Sequence, residues 1–194
     1  MLKNSLVLFL FVTITITTFS QSNRPSKDYY NGKNMLVHCL TNEEIVTNKQ
    51  GKLISAYLSE NQYFFNGKNA TVHCLILKKI SFYDSGILKS AYLRKNQIFF
   101  NGKAEEIEAM KYSPIEFFEN GRVKSVILSR YHELKNGQNQ PVYCMQNTKV
   151  VFYESGNVQL AVLDSPHTFY NKAKKPFRYN KGEMVYLSED GFVN

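Results

Sequence analysis

Catalytic motifs are absent from this sequence. It contains no nucleophile motif, no phosphate-binding glycine loop and no metal-ligand spacing, so we predict no enzyme activity, no catalytic residues, no cofactor and no metal site. Trp is absent, and the three cysteines allow at most one internal disulfide. Acidic residues are outnumbered, since 24 Lys and Arg against 16 Asp and Glu give a formal net charge of +8. This charge fits contact with an anionic surface or a solvated basic face.

The apolar run at the N-terminus is shorter than the ~20 residues that a membrane-spanning helix needs. One basic residue precedes this run, which covers residues 6–12 and leads into small residues. The pattern is typical of a secretory signal peptide over residues 1–22, cleaved after Ser20 or Ser22. We therefore expect residues 23–194 to be a single exported domain in the periplasm, on the outer surface or in the medium. An N-terminal membrane anchor is the alternative. No Cys stands directly after either cleavage position, so we do not expect a lipoprotein. We also expect no membrane span in the mature chain.

Nine of the ten glycines fall into two series with a step of 35 residues. The first series is Gly51, Gly86, Gly121, Gly156 and Gly191; the second is Gly32, Gly67, Gly102 and Gly137, and Gly182 stands outside both. Apolar columns such as Ile80, Ile115 and Val150 follow the same step. The period predicts about four and a half structural copies. They cover residues 29–63, 64–98, 99–133 and 134–168, with a partial copy at 169–194.

The residues around these glycines indicate tight turns between strands. In "FYDSGIL" alternating apolar residues lead into a turn whose Gly supplies a positive φ, and "FFNGK" carries Asn-Gly, the strongest hairpin signal. With 14 Phe and 13 Tyr favouring strands, we predict an all-β fold of antiparallel hairpins, two per copy, arranged as a meander. A β-solenoid is the alternative. The apolar spacing changes from three (Leu88 to Ala91) to two (Ala91 to Leu93), which predicts a β-bulge.

The glycine hairpins have a recognisable signature. Residues 80–90, "ISFYDSGILKS", and residues 115–125, "IEFFENGRVKS", resemble the bacterial variants of MORN repeats, which are grouped with an antitoxin-component-like family. The resemblance covers one half of each copy; the other half, around "NGKNATVHCLI", is not part of the usual repeat. The resemblance implies β-hairpin repeats with a binding or scaffolding role and no catalytic residues.

The three cysteines occupy a single column of the period. Cys39, Cys74 and Cys144 share it with Ala109, which indicates a small buried position. A Cys39–Cys74 disulfide and metal binding are the alternatives. Equivalent residues would lie ~4.8 Å apart in a solenoid with one coil per copy, but ~19 Å apart in a flat sheet with four strands per copy. The meander therefore predicts three free, buried thiols.

The histidines do not form metal-ligand pairs with the cysteines. His38 and His73 each precede a cysteine, but neighbouring residues on a strand point to opposite faces of the sheet. The other two histidines belong to a polar column. We predict that this column is exposed to solvent; it consists of Gln62, Gln97, His132 and His167.

The least regular stretch is "FYNKAKKPFRYNKG", residues 169–182. Basic residues interleaved with aromatic residues can contact anionic lipids or glycans; nucleic acid is not the expected partner. The candidate contact residues are Lys172, Lys174, Lys175, Arg178 and Lys181. Phe169 and Phe177 fall in core columns. The aromatic residues of the segment are predicted to face the core; they are Phe169, Tyr170, Phe177 and Tyr179. A solvated capping repeat is the alternative.

These patterns predict an exported, non-enzymatic repeat protein that acts as an interaction or structural module, with an unknown protein partner. The alternative is a protein that binds anionic components of the cell envelope, lipid or glycan, through its basic C-terminal repeat. The two differ in salt sensitivity, because binding to an anionic surface weakens steeply as ionic strength rises.

Overall fold

The computed structural model describes residues 24–33, 35–67 and 70–193. The signal peptide predicted at residues 1–22 lies outside this part of the chain. The described residues form strands and turns, and none of them belongs to a helix that is long and apolar enough to cross a membrane. The all-β hairpin-repeat fold predicted from the sequence is confirmed.

The strands follow one another at short, regular intervals along the chain. They are β1 (Ser26–Tyr30), β2 (Leu36–Leu40), β3 (Val46–Thr47), β4 (Leu53–Tyr57), β5 (Gln62–Phe65), β6 (Thr71–Cys74), β7 (Lys79–Phe82), β8 (Leu88–Tyr92), β9 (Gln97–Phe100), β10 (Glu106–Ala109), β11 (Pro114–Phe117), β12 (Val123–Ile127), β13 (His132–Lys135), β14 (Pro141–Cys144), β15 (Lys149–Phe152), β16 (Val158–Val162), β17 (His167–Tyr170), β18 (Pro176–Tyr179) and β19 (Met184–Tyr186).

Two sets of strands alternate along the chain. Within the described part of the chain, nine strands form one antiparallel meander, the main sheet, in the order β19-β16-β15-β12-β11-β8-β7-β4-β3. The other ten form five separate two-stranded hairpins, β1-β2, β5-β6, β9-β10, β13-β14 and β17-β18, which together we call the hairpin layer. Two hairpins per copy were predicted correctly, but they do not join one sheet.

The distance between equivalent residues of neighbouring copies follows from the division of the strands into the main sheet and the hairpin layer. Only two strands of each full copy enter the main sheet, so equivalent residues of neighbouring copies lie about 10 Å apart. The distance of ~19 Å between equivalent residues, expected for four strands per copy in one flat sheet, was wrong. The backbones of the two sets meet at isolated bridges such as Cys74 with Leu93 and Ala109 with Leu128.

The core lies between the hairpin layer and the main sheet. Phe64 of a hairpin packs edge-to-face on Phe82 of the sheet, with ring centroids 5.3 Å apart, and Phe99 packs in the same way on Phe117 at 5.4 Å. All four rings are buried and belong to a single continuous cluster. A hairpin has one apolar face and cannot bury it alone, so each set of strands covers the other.

The predicted β-bulge is confirmed in the main sheet. Ser81 pairs with Ser90, but the next residue, Phe82, pairs with Leu88, so Lys89 is the extra residue on its strand. The same shift of register recurs in the following two copies. The bulge lets residues three apart, Leu88 and Ala91, both face the core.

The residues with positive φ differ from the two predicted glycine series at two glycines. Gly137, although it belongs to the second series, is not among the positive-φ residues, and Asn139 in the same turn has φ 61° instead. Gly182, which stands outside both series, has φ 83°. It belongs to a third column of turns whose other members are Leu77, Tyr112 and Asn147, with φ 61–62°. Sequence reasoning missed this column because only one of its members is glycine.

Candidate functional site

Asparagine side chains connect the hairpin layer to the main sheet by hydrogen bonds. In four turns of the hairpin layer, the Asn that precedes the glycine donates a hydrogen bond from its side-chain amide to the carbonyl oxygen of a main-sheet turn glycine 55 residues later. The pairs are Asn31 with Gly86 (3.1 Å), Asn66 with Gly121 (2.8 Å), Asn101 with Gly156 (3.0 Å) and Asn136 with Gly191 (3.1 Å). The amide oxygen accepts backbone N–H groups of its own turn, as from Lys103 at 2.9 Å. These hydrogen bonds fix the positions of the first four hairpins on the main sheet.

The polar column predicted to be solvated instead links successive hairpins. The amide oxygen of Gln62 accepts the backbone N–H of His38 (2.9 Å), and its amide nitrogen donates to the carbonyl of Leu36 (3.3 Å). Gln97 repeats this arrangement one copy later. In the third copy, Nε2 of His132 accepts the backbone N–H of Glu108 (3.0 Å), and His132 is buried. The prediction was wrong for His132, which is buried, whereas Gln62 and Gln97 are half-buried. All three side chains satisfy backbone groups at the open edges of the hairpins.

We expect His132 to make the fold less stable in mild acid. Burial lowers its pKa, and the nearby Arg130 lowers it further against the opposing effect of Glu108. The unfolded chain therefore binds a proton on this histidine more readily than the folded chain does. The contribution of neutral His132 to the free energy of unfolding is fully present above about pH 6.5 and is lost as pH falls below that value. Protonation would also remove the acceptor for the Glu108 N–H. Urea unfolding at about pH 7.5 and about pH 5.5 measures the loss.

His132→Gln is the matched control for this pH effect. Gln occupies the same position at Gln62 and Gln97 and makes the same hydrogen bond without titrating. We expect the variant to fold and to show a smaller difference in urea midpoint between the two pH values. An unchanged difference would mean that other groups, such as His73 and His167, whose pKa values burial also lowers, cause the acid sensitivity.

Large apolar side chains are exposed on the side of the hairpin layer that faces away from the core, which we call the outer face. Tyr30, Phe65 and Phe100 hold equivalent positions in three successive hairpins and are 56%, 52% and 55% exposed. We call these three residues the aromatic row. Tyr170 repeats the position in the fifth hairpin. Three other exposed apolar residues lie beside the row: Leu36, Tyr63 and Ile98.

The outer face also has a shallow polar depression beside the row. It has a volume of about 490 Å³ and is lined by Lys95, Asn96, Gln97, Ile98 and Glu108. Its polar groups are partly engaged with one another, since Asn96 donates to Glu108 (3.4 Å) and Arg130 pairs with the same carboxylate (2.9 Å). The depression therefore presents donors and acceptors next to exposed apolar surface.

The structure places the five predicted basic residues at two ends of one hairpin. Lys172, Lys174 and Lys175 lie in the turn between β17 and β18, whereas Lys181 lies in the turn that follows β18, and Arg178 is on the strand between them. All five are exposed. Two are paired with carboxylates: Lys172 with Asp190 (3.0 Å) and Lys181 with Asp164 (3.2 Å).

The aromatic residues of the same segment do not form one surface with these cations. Phe169 is buried, and Phe177 and Tyr179 pack against the core from its margin, as the sequence columns predicted. For Tyr170 the prediction was wrong: it is exposed on the outer face, because it follows the buried Phe169 on the strand and therefore points to the opposite side. The ammonium of Lys175 lies 5.5 Å from the centre of the Phe177 ring, which is a cation–π distance.

The cysteines are free and buried, as predicted. Each thiol donates a weak hydrogen bond to a backbone carbonyl two residues earlier on its strand, as from Cys39 to Val37 at 3.3 Å. Burial, together with Asp28, raises the pKa of Cys39 to about 12, and burial raises the pKa values of Cys74 and Cys144 as well. The thiols therefore stay protonated at neutral pH and act as small apolar residues of the core.

No group of three or more His, Cys, Asp or Glu residues that could hold a metal ion occurs among the described residues. No family model matches the chain, and no curated protein matches it. The resemblance to MORN-variant repeats therefore stays a prediction.

Proposed function

We propose that the protein is an exported, non-enzymatic interaction module that binds its partner through the outer face of the hairpin layer. The export part of this proposal rests on the signal peptide expected in residues 1–22. The binding part rests on the aromatic row with Leu36, Tyr63 and Ile98, which gathers six exposed large apolar residues on three neighbouring hairpins. Grouped apolar exposure of this kind is typical of a binding surface.

The fourth hairpin indicates that the fold does not require the aromatic row. The position held by Tyr30, Phe65 and Phe100 is Lys135 there, and the position held by Tyr63 is Glu133. These two residues pair with each other at 3.1 Å, and their hairpin keeps the same strand pairing and the same contact with the main sheet. Since charged residues suffice for folding, the exposed rings of the first three hairpins are best explained by binding.

Affinity capture tests this function. The mature protein would be used to capture partners from its own cell envelope, beside a variant carrying Phe65→Ser and Phe100→Ser and a control variant carrying Tyr186→Ser. Tyr186 is equally exposed, at 58%, but lies on the main sheet. We expect the unaltered protein and the control to retain the same partner and the double variant to lose it. A partner retained equally by all three proteins would place the binding surface elsewhere.

A second candidate is binding of anionic lipid or glycan through the C-terminal repeat. The observation in its favour is that Lys174, Lys175 and Arg178 take part in none of the ion pairs among the described residues, although all three are exposed. Three unpaired cations on one hairpin, in a chain with net charge +8, would attract an anionic surface.

Charge-neutralising variants test this candidate. Replacing Lys174, Lys175 and Arg178 by Gln should abolish binding of the mature protein to anionic liposomes or lipopolysaccharide at low salt. Replacing Lys172 and Lys181 should weaken it less, because carboxylates already compensate their charges. Binding by the unaltered protein should also fall steeply as salt is added. If the unaltered protein does not bind these surfaces at low salt, this candidate is wrong.

A further inference from the structure

We propose that the ligand of the aromatic row is a linear polysaccharide in an extended conformation. The inference rests on the proposed binding function and names the chemical class of its partner. Three properties of the outer face support it: the regular spacing of the rings, the polar groups beside them, and the open shape of the surface.

The spacing of the rings is set by the main sheet. The Asn side chains fasten the hairpins to turns of the main sheet at a constant separation of 55 residues, so the hairpins repeat with the period of that sheet. Tyr30, Phe65 and Phe100 therefore recur about every 10 Å, which is two strand spacings. An extended chain of β-linked sugars repeats every disaccharide over a similar length. A ligand with this period meets an equivalent ring in each of three copies.

The chemistry of the outer face fits sugar rings. A pyranose ring has an apolar C–H face that packs on an aromatic ring, and hydroxyl groups around its edge that need donors and acceptors. The depression beside the row supplies both: Lys95 and Asn96 carry donors, and Glu108 carries acceptors. The depression is shallow and open, so it admits the side of a long chain and does not enclose a small molecule.

The neighbours of Phe65 and Phe100 argue against a lipid surface and against a large apolar protein interface. Phe65 lies opposite Thr71, and Phe100 lies opposite Glu106, which is exposed. Inserting Phe100 into a membrane would bring the Glu106 carboxylate towards anionic headgroups, and covering it with an apolar protein surface would desolvate its charge. A hydroxyl-rich ligand leaves Thr71 and Glu106 hydrated or hydrogen-bonded.

Oligosaccharide titration tests the inference on the mature protein. The probes are cello-oligosaccharides and chito-oligosaccharides from the disaccharide to the octasaccharide, with binding measured by calorimetry. We expect at least one series to bind, with the Kd falling by about tenfold or more up to the hexasaccharide, which spans three rings, and levelling off beyond it. Phe65→Ala, at the middle of the row, should raise the Kd of the hexasaccharide by about tenfold. Phe65→Tyr should retain binding.

The control is Tyr186→Ala, which removes an equally exposed ring from the main sheet and should leave binding unchanged. The inference is overturned if neither series binds, if the Kd does not depend on chain length, or if Phe65→Ala and Tyr186→Ala have equal effects. It is also overturned if liposomes or an envelope protein, and not a sugar chain, require Phe65. In the last case the interaction function stands while the polysaccharide assignment fails.

Discussion

Replacing Gly156 by alanine is expected to destabilise the fold by about 2–5 kcal/mol. Gly156 has φ 89°, which costs an L residue about 1–2 kcal/mol. A Cβ atom there would also lie 2.6 Å from the carbonyl oxygen of Asn101. That oxygen belongs to the backbone, so the hairpin β9-β10 would have to move away from the main sheet, weakening the Asn101 bond to the Gly156 carbonyl. Urea unfolding of the purified domain measures the loss.

Gly51→Ala and Gly182→Ala are the matched controls. Both glycines have positive φ, 76° and 83°, but a Cβ atom at either position meets nothing within 4 Å. Each substitution should therefore cost only the backbone strain, about 1–2 kcal/mol. Equal losses for Gly156 and Gly51 would show that the turn conformation alone matters and that the close approach of the two layers does not.

The repeat itself could be predicted because glycines and apolar residues recur in the sequence with its period. The turn glycines mark chain reversals, and alternating residues such as Ile115 and Phe117 identify the buried face of each strand. The bulge could be predicted from the spacing of Leu88, Ala91 and Leu93, since a register shift leaves a trace in the apolar pattern. Local geometry of this kind depends on residues close together in sequence.

The two-layer arrangement could not be predicted, because it depends on contacts between distant residues. The Asn in each Asn-Gly pair indicates a turn whether or not its side chain reaches a glycine 55 residues away, as Asn101 does. A repeated polar column, such as that of Gln62 and His132, is compatible with solvent or with a buried link between strands. Only the placement of the hairpins on the sheet distinguishes these possibilities.

The aromatic row was not predicted from the sequence, because repeated apolar columns were assigned to the core. Tyr30, Phe65 and Phe100 form an aromatic column as regular as that of Phe64 and Phe99 beside it, yet one column is exposed and the other buried. On a strand, adjacent residues point to opposite faces, so two neighbouring aromatic columns cannot both face the core. This alternation was the available signal. The charges of the basic segment, residues 169–182, interrupt the repeat, so the sequence indicated a contact surface there instead.

Asn101→Ala is expected to destabilise the fold by about 2–4 kcal/mol. The Asn101 side chain is fully buried and donates to the carbonyl of Gly156 at 3.0 Å, while its oxygen accepts the Lys103 N–H at 2.9 Å. Alanine leaves both backbone groups without this partner, and unsatisfied buried groups cost more than the net value of a hydrogen bond. The loss would appear in the free energy of unfolding measured with urea.

Asn171→Ala separates the bond between layers from the bond within the turn. Asn171 holds the same place in the fifth hairpin and accepts the Lys175 N–H at 2.9 Å, but its amide makes no bond to a main-sheet glycine among the described residues. The variant should lose only about 0.5–1.5 kcal/mol. Combining Asn101→Ala with Gly156→Ala should cost less than the sum of the two, because both changes break one contact. If Asn101→Ala and Asn171→Ala cost the same, the asparagines serve their turns alone, and the hairpins are held on the sheet by apolar packing.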